Sequence, residues 1–322
     1  MERTLVEHAG LNFRGISAAP IHGISLKKIP DNLVKIIRGF FDSRKILKEF
    51  NPDVLFFTGG YVGFPMAVAA IRRPQLIFVP DIEPGMMLKV LAKFASIITV
   101  VCEESRRYLP ADKRVAVTGY PVRSELGKWT KEQARETFGL NSLKPVLFVF
   151  GGSKGARSIN QAVTANLSTL LQHCQIIHVT GELDWENVEN ARKELDPVQQ
   201  ADYHITPYLH EEMGAALRAA DLVVSRAGAS TLGEFPLFGL PAILVPYPYA
   251  WRYQKVNADY LVEKGAALLI EDAALAEKLV PTVTDLMQNR EKLTSMKASM
   301  TELAAPDAAK NIAVLLDELA SN

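Results

Sequence analysis

Residues 145–157 read Pro145-Val146-Leu147-Phe148-Val149-Phe150-Gly151-Gly152-Ser153-Lys154-Gly155-Ala156-Arg157. Five apolar residues run without interruption into a glycine turn. That composition suits a strand buried on both faces, which belongs in a parallel sheet covered by helices. The glycines allow a tight reversal and close approach of a ligand to the backbone, and a helix begins after them. Free N–H groups at such a helix start favour an anion such as a diphosphate, and Ser153 adds a hydroxyl. The stretch is not GxxxxGK[ST], and GGSKGA lacks the GxGxxG spacing, so it is neither a Walker A loop nor a dinucleotide fingerprint. A tight β–α turn with no ligand satisfies the same residues.

The pattern repeats outward in both directions. Toward the N-terminus, strands are expected at Val54 to Phe57, Leu76 to Val79, Ser96 to Cys102 and Val115 to Thr118. Toward the C-terminus they are expected at Gln175 to Val179, Tyr203 to Thr206, Leu222 to Ser225, Ala242 to Val245 and Ala267 to Ile270. Helical stretches such as Met213 to Ala220, Thr231 to Phe238 and Gln254 to Lys264 lie between them. This alternation predicts an α/β chain of doubly wound, Rossmann-like sheets. At about 150 residues per domain, 322 residues suggest two domains. The polar stretch from Ser124 to Lys144 separates the two series of strands. The linker is therefore expected near Pro121 to Ser124, with a first domain over 1–123 and a second over 124–305. A terminal helix at about 306–322 is expected to pack back on the first. Open parallel sheets bind ligands beyond their strand C-termini, so two in tandem face a shared cleft. Before residue 50 there is one plausible strand, Asn12 to Ser17, and one long helix. No opening strand with a tight glycine turn is found, so the first domain is expected to be N-terminally truncated.

A second glycine turn runs from Ser225 to Glu234. Gly228 permits the turn, and Ser230 or Thr231 can cap the helix that follows. Glu234 falls about one turn into that helix. There its carboxylate can accept two hydrogen bonds from a ribose diol, or simply stabilise the helix start. Two anion-ready helix starts with an acid nearby point to a nucleotide-sugar diphosphate.

Lys+Arg and Asp+Glu both number 36, so no net charge draws the chain to nucleic acid. Both cysteines, Cys102 and Cys174, sit in apolar runs, which excludes a disulfide scaffold or cysteine zinc site. Apolar runs fall far short of the roughly 18 residues a membrane span needs, and no signal-peptide core is visible, so the cytosol is expected. Lys27 to Lys48 holds seven basic residues and two acids, interleaved with Leu33, Ile36, Ile37, Phe40, Phe41 and Leu47. This suits a helix lying on an anionic membrane surface, or an ordinary helix with its apolar stripe on the sheet.

Several segments follow one another in a recognisable order: Gly59-Gly60-Tyr61-Val62, Gly119 to Arg123, Gly151 to Asn160, Ser225 to Glu234, Gly239-Leu240-Pro241-Ala242, and Gln254 with Asn257. Together they resemble the MurG family of bacterial glycosyltransferases, which add N-acetylglucosamine to lipid I in peptidoglycan synthesis. The resemblance implies a two-domain GT-B fold with the donor, UDP-N-acetylglucosamine, in the second domain. It implies that Gly151, Gly152 and Ser153 hold the diphosphate and that Arg123 assists from the interdomain edge. Gly228, Ala229, Ser230, Thr231, Leu232, Gly233 and Glu234 would line the ribose and phosphates, with Gln254 and Asn257 on the sugar. His210 stands where the family reads uracil with backbone. Gly59, Gly60 and Tyr61 would lie on the acceptor side. The resemblance also implies a lipid-linked acceptor at the cytoplasmic face of the membrane, with no cofactor and no nucleic acid.

Three departures stand out. The family's opening strand and GGxGGH loop are not found, its paired glutamines appear as Tyr253-Gln254, and its HEQN segment is replaced by Phe78-Val79-Pro80-Asp81 followed by Ile82-Glu83. Asp81 and Glu83, just past a strand end, are candidates by position for the base, or turn and capping acids before a helix over Met86 to Phe94. No Asp-x-Asp pair occurs, so metal-independent, inverting transfer is expected, the departing diphosphate being stabilised by helix N-termini and Arg123. The alternatives are a related transferase with another acceptor, a non-catalytic UDP-sugar-binding protein, and a nucleotide-sugar epimerase on the same fold.

Overall fold

The computed structural model describes residues 3, 6, 7, 9–20, 25, 29–141, 143–152, 155–249 and 252–321. Two parallel sheets follow one another along the chain. The first contains β1 (Leu55–Phe57), β2 (Gln75–Val79), β3 (Ile97–Val100) and β4 (Arg114–Val117), side by side in that order. The second contains β5 (Val146–Phe150), β6 (Gln175–Val179), β7 (Tyr203–Thr206), β8 (Leu222–Ser225), β9 (Ala242–Leu244) and β10 (Ala267–Leu269), in spatial order β10-β9-β8-β5-β6-β7. The helices used below are α1 (Ile29–Phe50), α2 (Arg157–Thr164), α3 (Thr231–Phe238), α4 (Tyr253–Glu263), α5 (Arg290–Glu302) and α6 (Ala308–Ser321). Each strand expected between residues 54 and 270 is present, with ends moved by a residue or two. We propose the domain division at 123/124, between β4 and β5.

The uninterrupted apolar run of β5 has a simple cause. Val146, Phe148 and Phe150 point to one side of the sheet, where they meet Phe235 and residues of the first sheet. Leu147 and Val149 point to the other, where they meet Ile159 and Val163 of α2. Both faces are dry, and each such large side chain contributes about 1.5–3 kcal/mol on burial. Leu76, Phe78, Ile82 and Ile97 share a cluster with Phe150, Leu232 and Phe235, so the apolar core runs continuously between the sheets. Helix α6 returns to the first sheet: Ile312 is buried in that cluster, and Glu318 pairs with Arg114 of β4.

The strand expected at Asn12 to Ser17 does not form; residues 11–20 carry no regular structure. They are tied to a helix instead of a strand. The Ser17 N–H donates to Asp42 of α1, and the Ser17 carbonyl lies where a Cβ on Gly39 would stand, 1.8 Å away. The helix expected over Met86 to Phe94 is shorter, Met86–Leu91.

Candidate functional site

The strands that precede the two glycine turns are neighbours. β5 pairs with β8, and Phe150 sits opposite Ser225 at their C-terminal ends. From there the chain winds outward both ways, to β6 and β7 and to β9 and β10. The turns therefore leave the sheet at its topological switch point, where ligands of open α/β sheets bind. Between them opens a cavity of about 1200 Å³ lined by Arg123, Phe150, Gly152, Ser230 and Glu234, with Tyr208 and His210 on one wall.

The first turn needs its glycines. A Cβ on Gly151 would stand 2.3 Å from the Ala156 backbone nitrogen, and Gly155, at φ +73°, lies against the Thr180 carbonyl. Ser153 and Lys154 lie outside the described residues. Behind the turn a buried chain of hydrogen bonds fixes the start of α2. Asn160 Nδ2 donates to the Thr180 carbonyl and to Asp184, while Asn160 Oδ1 meets His178 Nε2 at 3.0 Å. His178 Nδ1 meets the Tyr203 hydroxyl at 2.8 Å, and burial pushes the pKa of this imidazole down to about 3. The histidine is thus a neutral structural link.

The second turn is built differently from the expectation. Gly228 has no left-handed backbone, and a Cβ there would meet nothing within 4 Å, so the turn does not require glycine; the space before it is simply open. Ser230 precedes α3 but makes no side-chain capping bond, and Thr231 bonds back to the Gly228 carbonyl. Thr231 and Leu232 are buried in the interior. Gly233 is the contact between α3 and the linker: a Cβ would fall 2.7 Å from Tyr120 and 2.9 Å from Val122. Of the run from 228 to 234, Ser230 and Glu234 reach the cavity. Burial raises the Glu234 pKa above its usual value, against the opposing pull of Arg123.

Arg226, in the same turn, joins the two helix starts. It donates to Asp272 and to Ser158 of α2, and its guanidinium stacks 5.3 Å over Tyr247. Gln254, at the start of α4, accepts from the Tyr247 N–H at 2.8 Å. Tyr208 and His210 lie with ring centroids 4.6 Å apart, on the loop after β7.

The first domain meets this site through the segment after β2. Asn257 of α4 is fully buried, and every polar atom of its amide has a protein partner. Its Oδ1 accepts from the Ile82 N–H at 3.0 Å. Its Nδ2 donates to Asp81 Oδ1 at 2.8 Å and to the Ala227 carbonyl at 3.2 Å. Expected on the sugar, Asn257 instead pins the loop of one domain to the glycine turn of the other. Glu83 is 2% exposed and is gripped by Arg252 at 2.5 and 2.7 Å and by Lys89 at 3.1 Å. Arg252 holds the Glu83 carboxyl below its usual range, whereas burial pushes Asp81 above its own. Gly59 and Gly60 follow β1, one strand over, both with positive φ, and Tyr61 beside them is 45% exposed. Among the described residues no three His, Cys, Asp or Glu stand close enough to hold a metal ion.

Sequence reasoning missed Arg252 and the structural use of Asn257. Glu83 and Arg252 lie 169 positions apart, so no periodicity or spacing links them.

Comparison with known proteins agrees with this architecture. Residues 146–312 match the glycosyltransferase family 28 C-terminal domain, and residues 1–100 match the N-terminal domain of the same family. A relative from Desulforamulus reducens, named UDP-N-acetylglucosamine–N-acetylmuramyl-(pentapeptide) pyrophosphoryl-undecaprenol N-acetylglucosamine transferase, is 39% identical over 99% of this chain and 88% of its own length. A Roseiflexus protein of the same name is 38% identical over 99% of this chain and 81% of its own length. Among solved structures, MurG of Acinetobacter baumannii superposes with a TM-score of 0.76 at 24% identity, covering 99% of this chain and 88% of that one. The UDP-GlcNAc 2-epimerase of Neisseria meningitidis, bound to UDP-GlcNAc, shares the fold at a TM-score of 0.68 and 16% identity, over 99% and 88% of the two chains. With two Rossmann-like domains closed around paired glycine turns, and near-full-length relatives above 30% identity, the chain belongs to glycosyltransferase family 28, within its MurG family.

Proposed function

We propose that this protein transfers N-acetylglucosamine from UDP-N-acetylglucosamine to a lipid-linked muramyl-peptide acceptor, with inversion and without a metal ion. The observation that carries the reading is the pair of helix starts, α2 and α3, on adjacent strands around one cavity that also holds Arg123 and Glu234. The helix start of α2 and a guanidinium meet the charge that develops on a departing UDP, and the dipole of α3, whose first N–H groups are bonded within its own turn, adds to them. In this reading Glu234 accepts from the ribose hydroxyls, and Tyr208 and His210 form the wall for the nucleobase. Gln254 holds the Tyr247 loop at the sugar end.

Asp81 is the base in this scheme. Asn257 orients its Oδ1, burial raises its proton affinity, and its Oδ2 has no hydrogen-bond partner among the described residues. A base must take the acceptor hydroxyl proton as the new glycosidic bond forms, and a raised pKa favours that transfer. Glu83 is less basic and spends both oxygens on Arg252 and Lys89. Gly59, Gly60 and Tyr61 flank the acceptor.

Helix α1 supports the membrane part of the proposal. Its inward line consists of Asn32, Ile36, Gly39, Ser43 and Leu47, whereas Leu33, Val34, Ile37 and Phe41 are exposed, Phe41 by 62%. Lys35, Arg38, Arg44, Lys45 and Lys48 are exposed on the same helix; Lys27 and Lys28 lie outside the described residues. An exposed apolar stripe flanked by cations fits the interface of an anionic bilayer. No helix among the described residues is long and apolar enough to cross a membrane, so docking from the cytoplasmic face would be peripheral.

The test is transfer of labelled N-acetylglucosamine to lipid I in anionic vesicles with a chelator present. Product is expected with parent protein. Binding of UDP without any transfer would reduce the protein to a UDP-sugar-binding homologue.

A further inference from the structure

A second hollow, of about 390 Å³, opens at the opposite end of the second sheet from the donor cavity. Its rim comes from the residues just before β8, the end of α3 and the first turns of α5. Four cations line it: Lys131, which pairs with Asp221, and Arg218, Arg290 and Lys297. Arg290 and Lys297 are seven residues apart on α5, so they share one face of that helix. Among the described residues none of Arg218, Arg290 and Lys297 is in an ion pair. The single acid on the wall, Asp221, is already neutralised by Lys131 at 2.7 Å and Arg135 at 3.3 Å, and it also accepts from the Val146 N–H.

Arg218 supplies the decisive detail. Its guanidinium lies 4.7 Å over the Phe238 ring, and its Nε is buried without a hydrogen-bond partner among the described residues. With Nε closed off from solvent, the guanidinium offers a ligand its terminal nitrogens, Nη1 and Nη2. The fork of a guanidinium matches two oxygens of one phosphate, and such charge-assisted bonds are strong. Trp129, Phe238 and Leu293 give the hollow apolar walls beside these charges, suited to the organic part of a phosphorylated ligand. Trp129 also lines the donor cavity.

We propose that this hollow is an anion site that takes a phosphate group on Arg218, Arg290 and Lys297, distinct from the donor cavity and independent of the transfer reaction. The phosphate could come from a soluble metabolite or from a lipid headgroup.

The probe is inorganic pyrophosphate, titrated calorimetrically into the full chain with UDP present to occupy the donor cavity. One-to-one binding is expected, with a change in Trp129 emission. Affinity is expected to fall about tenfold or more in R218Q/K297Q, as for the loss of a charged hydrogen bond. R290Q/K297Q alters only exposed side chains and carries the same expectation should the Arg218 variant fold poorly. Absence of pyrophosphate binding beside UDP, or equal affinity in R290Q/K297Q, overturns the site. Phosphatidylglycerol vesicles that displace pyrophosphate identify a headgroup as the source; vesicles that leave it bound identify a soluble phosphate, and either result upholds the site. Should UDP itself fail to bind, the donor reading falls, while the comparison between parent and variants still decides this one.

Discussion

The two sides of the cleft are held together by different means. On the donor side each element of the site is local: a strand, a glycine turn and a helix start within a dozen residues, twice over. On the other side, Asp81 and Glu83 find their partners in Asn257 and Arg252, some 170 positions away, across the domain boundary. Phosphate binding needs only backbone N–H groups at a helix start, which local sequence can provide. Tuning a carboxylate needs burial and a chosen partner, which only folding can provide.

Four substitutions probe this contrast, in decreasing order of expected effect. D81N removes the base, and kcat is expected to fall about 10²–10⁴-fold with little change in UDP affinity. In the parent protein the rate declines as pH drops through the raised Asp81 value, so the acid limb of the pH–rate profile lies above the ordinary 3.8 of an aspartate. A profile with its limb at or below that value would assign the proton to another group.

E234A tests the donor side. Loss of the acceptor for the ribose diol is expected to weaken UDP binding by about 1.5–3 kcal/mol in calorimetry, or roughly 10–150-fold. Unchanged affinity would separate the carboxylate from the nucleotide.

E83Q loosens the clasp between the domains. A stability loss of about 1–2 kcal/mol is expected in denaturant unfolding, moderated because Arg252 is 60% exposed. The sign follows from the lowered pKa. The stabilisation by the ionised carboxylate is complete above the ordinary 4.5 and is lost as pH falls through the lower folded value. E83Q should lose this share of the pH dependence, and an unchanged parental dependence in the variant would contradict the clasp.

G228A is expected to have the smallest effect. With ordinary backbone angles and open space, the added methyl should change stability by no more than about 0.5 kcal/mol. A larger destabilisation would show that the turn does rely on glycine.

The sequence by itself determined the strand and helix order, the two sheets and both glycine turns. Period-two packing on both faces writes uninterrupted apolar runs such as 146–150, and the crowding at Gly151 writes glycine. It also marked the basic, apolar helix near the N-terminus, but not which face that helix exposes. Tertiary structure alone decided that β5 and β8 are neighbours, which brings turns some 75 residues apart to one cavity. It alone decided that Gly233 serves the packing of Tyr120 and Val122, that Asn257 is a pin between domains, and that Asp81 and Glu83 carry opposite pKa shifts. The physical reason is range. Backbone geometry and apolar periodicity are properties of adjacent residues, while desolvation and charge pairing depend on whatever the completed fold places within a few ångströms.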